Sequence, residues 1–341
     1  MATILTARSW DCGQLQINEA DIYSPSITAW AVVSNTRAKT GTYSLKLNGG
    51  SGPNTVRFAI GAGDDHPSCS VWIHPDTVLT YNVDSAIRLR YGLSSSVYVD
   101  LRWNGTTHTF DAYVNDALVE AGTVEVSNID WFHVQFYCVI DNAGSINVRI
   151  DGHESISYSG DTLIGAGPAA YYLYFYVNGA SSQYAYFDDL VVGIDGYLGD
   201  LRCIDIRPTA DTAQDDWTPS AGRRNYSTID EVSTNAATID ADYNYTNTTA
   251  QADELALGDF DGTTYTPKAT VAWVRARMLE ASGDSIKVGV DSGGTDSTTT
   301  HALSASMEYY FHTDDDNPAD SAEWEDADID ALLLRYESVI T

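Results

Sequence analysis

Lysine is nearly missing from this chain of 341 residues. Its 4 Lys and 14 Arg face 37 Asp and 11 Glu, for a formal net charge of −30. So few cations exclude the basic footprint that a nucleic-acid surface needs. Long apolar runs are missing too. No stretch approaches the ~18 apolar residues of a membrane-spanning helix. Residues 1–13 lack the apolar centre of a secretory signal, which counts against secretion. Cysteine is rare: Cys12, Cys69, Cys138 and Cys203 lie too far apart for a metal knuckle. The seven histidines contain no His-x-x-x-His zinc pair. A Gly-x-Ser-x-Gly elbow, a phosphate-binding loop and a dinucleotide fingerprint are all absent. Helical periodicity is almost absent, and only residues 328–337 read as a short helix.

What is present is strand-forming sequence. With 43% hydrophobic residues the chain has enough apolar material for real cores, despite its charge. Residues 131–140 alternate, with Phe132, Val134, Phe136, Cys138 and Ile140 on one face. Cys138 is therefore expected in the core, and His133, on the opposite face, in solvent. Turn signals at Asp141–Gly144 and at Asp151-Gly152 bracket a further strand through Ile146, Val148 and Ile150. Residues 171–177 and 184–192 read as two neighbouring strands, and the glycines at 49–52 and 293–294 as turns. A glycine-rich break at 193–200 divides the chain into domains 1–195, of net charge −11, and 196–341, of net charge −19. In the second, an opening strand at 201–206, a loop over 208–224 and strands at 270–279 and 286–290 are expected. The fold class is all-β, with two antiparallel β-sandwich (jelly-roll) domains.

The acidic excess is an Asp excess. Asp adds hydration without apolar stem, and Lys, which has a long stem, is avoided. That pattern suits concentrated salt, where the Debye length falls to about 3 Å and carboxylates repel little. An ordinary acidic extracellular or virion protein is the alternative.

Three segments of the first domain resemble the laminin-G or concanavalin-A-like lectin jelly roll. They are Thr40-Gly41-Thr42-Tyr43-Ser44-Leu45-Lys46-Leu47, then Trp131-Phe132-His133-Val134 with the strand to Gly152, then Tyr186-Phe187-Asp188-Asp189-Leu190-Val191-Val192. In the second domain Gly196-Tyr197-Leu198-Gly199-Asp200, Arg207-Pro208, Asp216-Trp217, Asn317-Pro318 and Trp324 resemble a module that follows a lectin-like domain in virion proteins of tailed viruses. The resemblance implies a non-enzymatic structural protein of the capsid or tail surface (turret, decoration or fibre). Its expected partners are other copies of itself in a symmetric oligomer, other virion proteins and host surface glycans. The composition adds a host in concentrated salt. Assembly in the host cytoplasm favours free thiols, while a Cys12–Cys69 bridge stays open.

Candidate site residues are few. Jelly-roll glycosidases carry paired carboxylates, and the only Glu-x-Asp here, Glu19-Ala20-Asp21, has Ser24 where a second Glu is needed. No catalytic residue is therefore assigned, and the chain is expected not to be an enzyme. Tyr171, Tyr172, Tyr174, Tyr176, Tyr184 and Tyr186 suit either sugar stacking or core and interface packing. No cofactor is expected. Ca²⁺ is the one ion left open, at Asp188 and Asp189, where strand alternation sends one side chain inward, and at Asp314, Asp315 and Asp316. A secreted carbohydrate-binding module and a polysaccharide-degrading enzyme are the alternative functions.

Overall fold

The computed structural model describes residues 3–8, 22–23, 31–61, 65–76, 86–92, 97–127, 129–163, 171–220, 222, 224–228, 243–260, 262, 264–279 and 283–341. The chain forms two compact units, Met1–Ile204 and Asp205–Thr341. Nearly every element is an antiparallel strand, so the class is all-β.

The first unit begins with β1 (Thr3–Arg8), β2 (Ile22–Tyr23), β3 (Ala31–Ser34), β4 (Ser44–Gly61), β5 (Pro67–His74), β6 (Ile87–Gly92) and β7 (Val97–Asn104). It continues with β8 (Thr109–Val114), β9 (Ala117–Glu120), β10 (Phe132–Val139), β11 (Gly144–Ile150), β12 (His153–Gly160) and β13 (Tyr171–Ile194). Hydrogen bonding runs β12-β11-β10-β5-β13-β6-β7-β8-β9, with β1 and β4 also on β13, and β2 and β3 on β4.

The 24-residue β13 joins two layers. Its first part, Tyr172 to Val177, pairs with β6, and its last part, from Tyr186, pairs with β5. The two strands expected at 171–177 and 184–192 are therefore one. Register shifts around Gly179, which lies opposite Gly50 of β4, absorb the intervening residues. The turn expected at 49–52 likewise lies inside β4. Glycine at such a point lets paired strands bend without a Cβ clash.

Alternation along β13 fills the space between the layers. Leu173, Phe175, Val177, Ala185 and Phe187 are all fully buried. Phe175 stacks on Phe187 at 4.9 Å and meets Phe58 edge-on at 5.3 Å. Contacts between Tyr91 and Phe136, at 4.7 Å, and between Phe110 and Phe132, at 6.0 Å, close the two layers on each other. Phe132, Val134, Phe136 and Cys138 of β10 lie in this core, as their periodicity predicts.

β5 is buried along its whole length, on both faces. Cys69, Val71 and Ile73 face the core, and residues 195–204 run over the other side. Ser70 Oγ donates to the Gly199 carbonyl at 3.1 Å, and the Arg202 guanidinium sits 4.2 Å from the Trp72 ring centroid. This cover corrects the expectation for His133. It is buried, stacked on Trp72 at 5.1 Å, with Nε2 2.7 Å from Ser70 Oγ. A polar face is solvent-exposed only where nothing lies across it.

The second unit holds β14 (Pro208–Asp215), β15 (Thr218–Pro219), β16 (Asn244–Tyr245), β17 (Ala252–Leu257), β18 (Thr270–Ala276), β19 (Ser285–Ser292), β20 (Thr295–Ala302), β21 (Glu308–Asp314), α1 (Asp326–Asp330) and β22 (Leu333–Val339). Its main sheet is β14-β17-β22-β19-β20, with separate pairs β15-β16 and β18-β21. Residues 201–206 form no strand, and β14 occupies part of the expected loop. The helix expected over 328–337 stops at Asp330, because Leu334 and Tyr336 alternate into the core from β22, between β17 and β19. Gly293 and Gly294, both at positive φ, make the β19–β20 turn as expected. Buried Asp253 ties this unit together, accepting from Trp217 N, Asn225 Nδ2 and Tyr336 Oη at 2.9, 2.8 and 2.6 Å.

Candidate functional site

The six tyrosines do not share one face. Tyr171 opens β13, and Tyr172, Tyr174 and Tyr176 project from the outer face of the β6–β9 layer, half-buried, opposite the core residues between them. Tyr184 and Tyr186 project from the outer face of the β5–β12 layer. There Lys46 Nζ lies 3.8 Å from the Tyr184 ring, and Tyr186 is buried near His74.

Around Tyr172, Tyr174 and Tyr176 the strand register assembles arginines. Arg57 of β4 and Arg90 of β6 flank Tyr174 in one row, which continues through Asp100 of β7 to Tyr113 of β8. The next row reads Thr55, Tyr176, Arg88, Arg102 and Asp111. Each guanidinium rests on a ring: Arg57 on Tyr172 at 4.8 Å, Arg88 and Arg90 on Tyr176 at 5.0 and 5.4 Å, and Arg102 on Tyr113 at 4.2 Å. Such contacts contribute about 0.5–2 kcal/mol each and hold the planar heads in fixed orientation.

Asp100 is the electrostatic centre of this face. It is buried, and its Oδ2 lies 2.7, 3.2 and 3.6 Å from Arg102, Arg90 and Arg88. Burial raises the Asp100 pKa, and the three arginines oppose that rise. Burial, together with Arg102 and Arg90, pulls the Arg88 pKa down in spite of Asp100. Arg102 also bonds Asp116, whose pKa that contact lowers. Asp111 is spent on structure, accepting from Asn104 Nδ2 at 2.7 Å and from the Gly122 amide at 3.0 Å.

The sequence points to the tyrosines and passes over the arginines. Arg57, Arg88, Arg90 and Arg102 come from three strands and meet only through pairing. The available signal was Ile87-Arg88-Leu89-Arg90-Tyr91, where a cation recurs every second residue on the face opposite the core. Chemically, the face offers ring surfaces for the apolar sides of sugars and forked N–H donors for hydroxyl or oxyanion groups.

The acids expected as calcium ligands sit elsewhere. Both Asp188 and Asp189 are buried, which corrects the expected alternation. A register shift between Asp188 and Val191, with Asp189 at φ 48°, sets both on the outer side of the layer, buried beneath residues 39–40 and 203. Asp188 Oδ2 accepts from the Lys39 and Thr40 amides at 2.7 and 3.3 Å, and Oδ1 from the Asp189 amide at 2.9 Å. Asp189 Oδ1 accepts from Thr40 Oγ1 and the Cys203 amide. With hydrogens aimed at three of the four oxygens, the pair does not fit a hard cation, which takes about six to eight oxygen ligands. Burial, then the neighbouring Asp189, pushes Asp188 up to about 8.

In the second unit Asp314 accepts from Ser297 Oγ at 2.7 Å and pairs with His312 at 2.9 Å, Asp315 is half-buried, and Asp316 is exposed. Among the described residues one acidic trio lies close together, Glu254, Asp291 and Asp296. Arg335 already serves it, bonding Glu254 and lying 3.2 Å from Asp296. Cys69 and Cys138 are free thiols, with burial pushing Cys69 up to about 12. Cys12, Glu19, Asp21 and Ser24 lie outside the described residues.

No protein-family model matches the chain, and no curated relative does. Solved structures do resemble it. One is an endo-β-1,4-glucuronan lyase from the fungus Trichoderma reesei, 12% identical, TM-score 0.42, over 57% of this chain and 96% of that one. Alginate lyase Aly36B is 9% identical, TM-score 0.41, over 57% and 98%. The carbohydrate esterase vb_24B_21 from the Shiga toxin-encoding bacteriophage phi24B is 13% identical, TM-score 0.39, over 57% and 100%. The expectation of a chain without enzymatic activity is corrected by this finding. Two lyases and an esterase stand among the matches, and a missing glycosidase carboxylate pair excludes only one kind of catalysis.

Proposed function

We propose that the first unit binds carbohydrate on the face formed by Tyr172, Tyr174 and Tyr176. One observation carries this reading: three tyrosines recur at alternate positions of β13 on the side away from the core, seated among oriented guanidiniums. Core packing consumes the residues between them instead. Sugar rings stack their apolar faces on such aromatics, and forked N–H donors take their oxygens. A glycan array probed with the full chain tests it. Tyr176→Ala should lower the signal about tenfold or more, the loss of about 1.4 kcal/mol, while Tyr184→Ala on the other layer should leave it unchanged. A flat array, or equal loss from both variants, rejects the face. Incubation with a bound glycan extends the test to catalysis: new chain ends mark an enzyme, and an unchanged chain length marks a binder.

The setting we propose is the surface of a tailed-virus particle, assembled in the host cytoplasm as a symmetric oligomer beside capsid or tail proteins. Its support is the module resemblance of the second domain's sequence and the Asp-rich, Lys-poor composition. Absence of the chain from purified particles would overturn it.

A further inference from the structure

We infer that the glycan taken by the Tyr–Arg face is polyanionic, with repeating carboxylate or sulfate groups; the inference rests on the carbohydrate reading of that face. The chain has only 18 basic residues against 48 acidic ones, yet four arginines converge here. Their arrangement is costly without a ligand. Arg88 and Arg102 stand directly opposite each other across β6 and β7, and like charges in that position repel. A single oxygen of Asp100 serves three guanidiniums. Arg102 stands opposite Asp111 and bonds Asp116, which is 81% exposed, whereas Arg88 reaches only Asp100, at 3.6 Å. Arg88 Nε is buried and has no hydrogen-bond acceptor among the described residues. Arg88, partly buried between like charges, is destabilising until an anion arrives.

The geometry also suits anions in series. Arg57 and Arg90 flank Tyr174 at two strand spacings, roughly 10 Å apart. Oxyanions placed there would meet planar forks that accept them in bidentate fashion, with a sugar ring over the tyrosine between them. The ring contacts beneath the arginines orient the forks before binding, which lowers the entropy lost on association. A nucleic acid is disfavoured, because a chain of net charge −30 repels so densely charged a polymer and this face is only a few cations wide.

Affinity measurements on the full chain distinguish the outcomes. They use dextran, dextran sulfate, polygalacturonate and single-stranded DNA, at the lowest salt that preserves the β-rich circular dichroism spectrum. We expect polygalacturonate, dextran sulfate or both to bind at least about tenfold more tightly than dextran, with affinity falling as salt is added. Which polymer wins identifies carboxylate or sulfate as the recognised group. Arg88→Gln should weaken that binding about tenfold, as expected for one charge-assisted contact. Arg57→Gln, at the other end of the face, serves should Arg88→Gln not fold. Dextran binding as tight as the acidic polymers overturns the anionic ligand and leaves the carbohydrate reading standing. Tighter binding to DNA, or acidic-polymer binding unchanged in the arginine variants, also overturns the inference. Binding to none of the four polymers, with a flat glycan array, overturns both.

Discussion

At the scale of the residue, burial decides chemistry that residue type leaves open. Asp188 and His133 both lie under cover in the first unit, and burial shifts them in opposite directions, Asp188 to about 8 and His133 to about 4. The folded chain holds the Asp188 proton more tightly than the unfolded chain does. The stability this contributes is complete below about 4 and is lost as pH rises toward about 8. His133 acts the other way: its contribution is complete above the ordinary 6.5 and is lost as pH falls toward about 4. Asp188→Asn should therefore flatten the fall in melting temperature between about pH 4 and about pH 8. A variant whose melting temperature tracks the wild type throughout that range would show that Asp188 does not carry the proton. The pair of aspartates was legible in the sequence, but its burial was not, because a register shift overrides strand alternation.

At the scale of the element, β13 does most to define the first unit. Its alternation divides Leu173, Phe175 and Val177 from Tyr172, Tyr174 and Tyr176, so one segment supplies both core and candidate site. Phe175→Ala removes a ring lying against both Phe58 and Phe187 and should cost about 3–5 kcal/mol, read from denaturant unfolding. A loss below about 1 kcal/mol would mean that the layers close without that ring. Strand periodicity located β10, β11, β18 and β19 from sequence alone. It failed at β22, where a short stretch suits helix or strand equally. There Leu334 and Tyr336 settle the matter only by meeting a core between β17 and β19.

At the scale of the whole molecule, charge is the dominant fact. The net −11 of residues 1–195 and −19 of residues 196–341 place the heavier repulsion in the second domain. Screening at high salt should stabilise both parts and the second more. Calorimetry of the full chain should therefore show the melting temperature rising with sodium chloride toward molar concentration. A melting temperature independent of salt would remove the saline setting and leave the fold untouched. The same charge sharpens the site, since four arginines gathered on one face of so acidic a chain are a concentration that average composition conceals.

The sequence by itself determined the all-β class, the Gly293-Gly294 turn, the alternating core of β10 and β11, the tyrosine pattern of β13 and the acidic balance. Each of these is carried by neighbours along the chain, through a period of two or through simple counting. Only the tertiary structure decided that β13 is one strand serving two layers. It alone buried His133 beneath residues 195–204, brought Arg88, Arg90 and Arg102 around one carboxylate, and set Arg57 across Tyr174 from them. Those facts depend on which strands pair, in what register, and on what lies across their outer faces. Pairing partners such as Arg57 and Tyr174 are far apart in the chain, and no local pattern fixes such contacts.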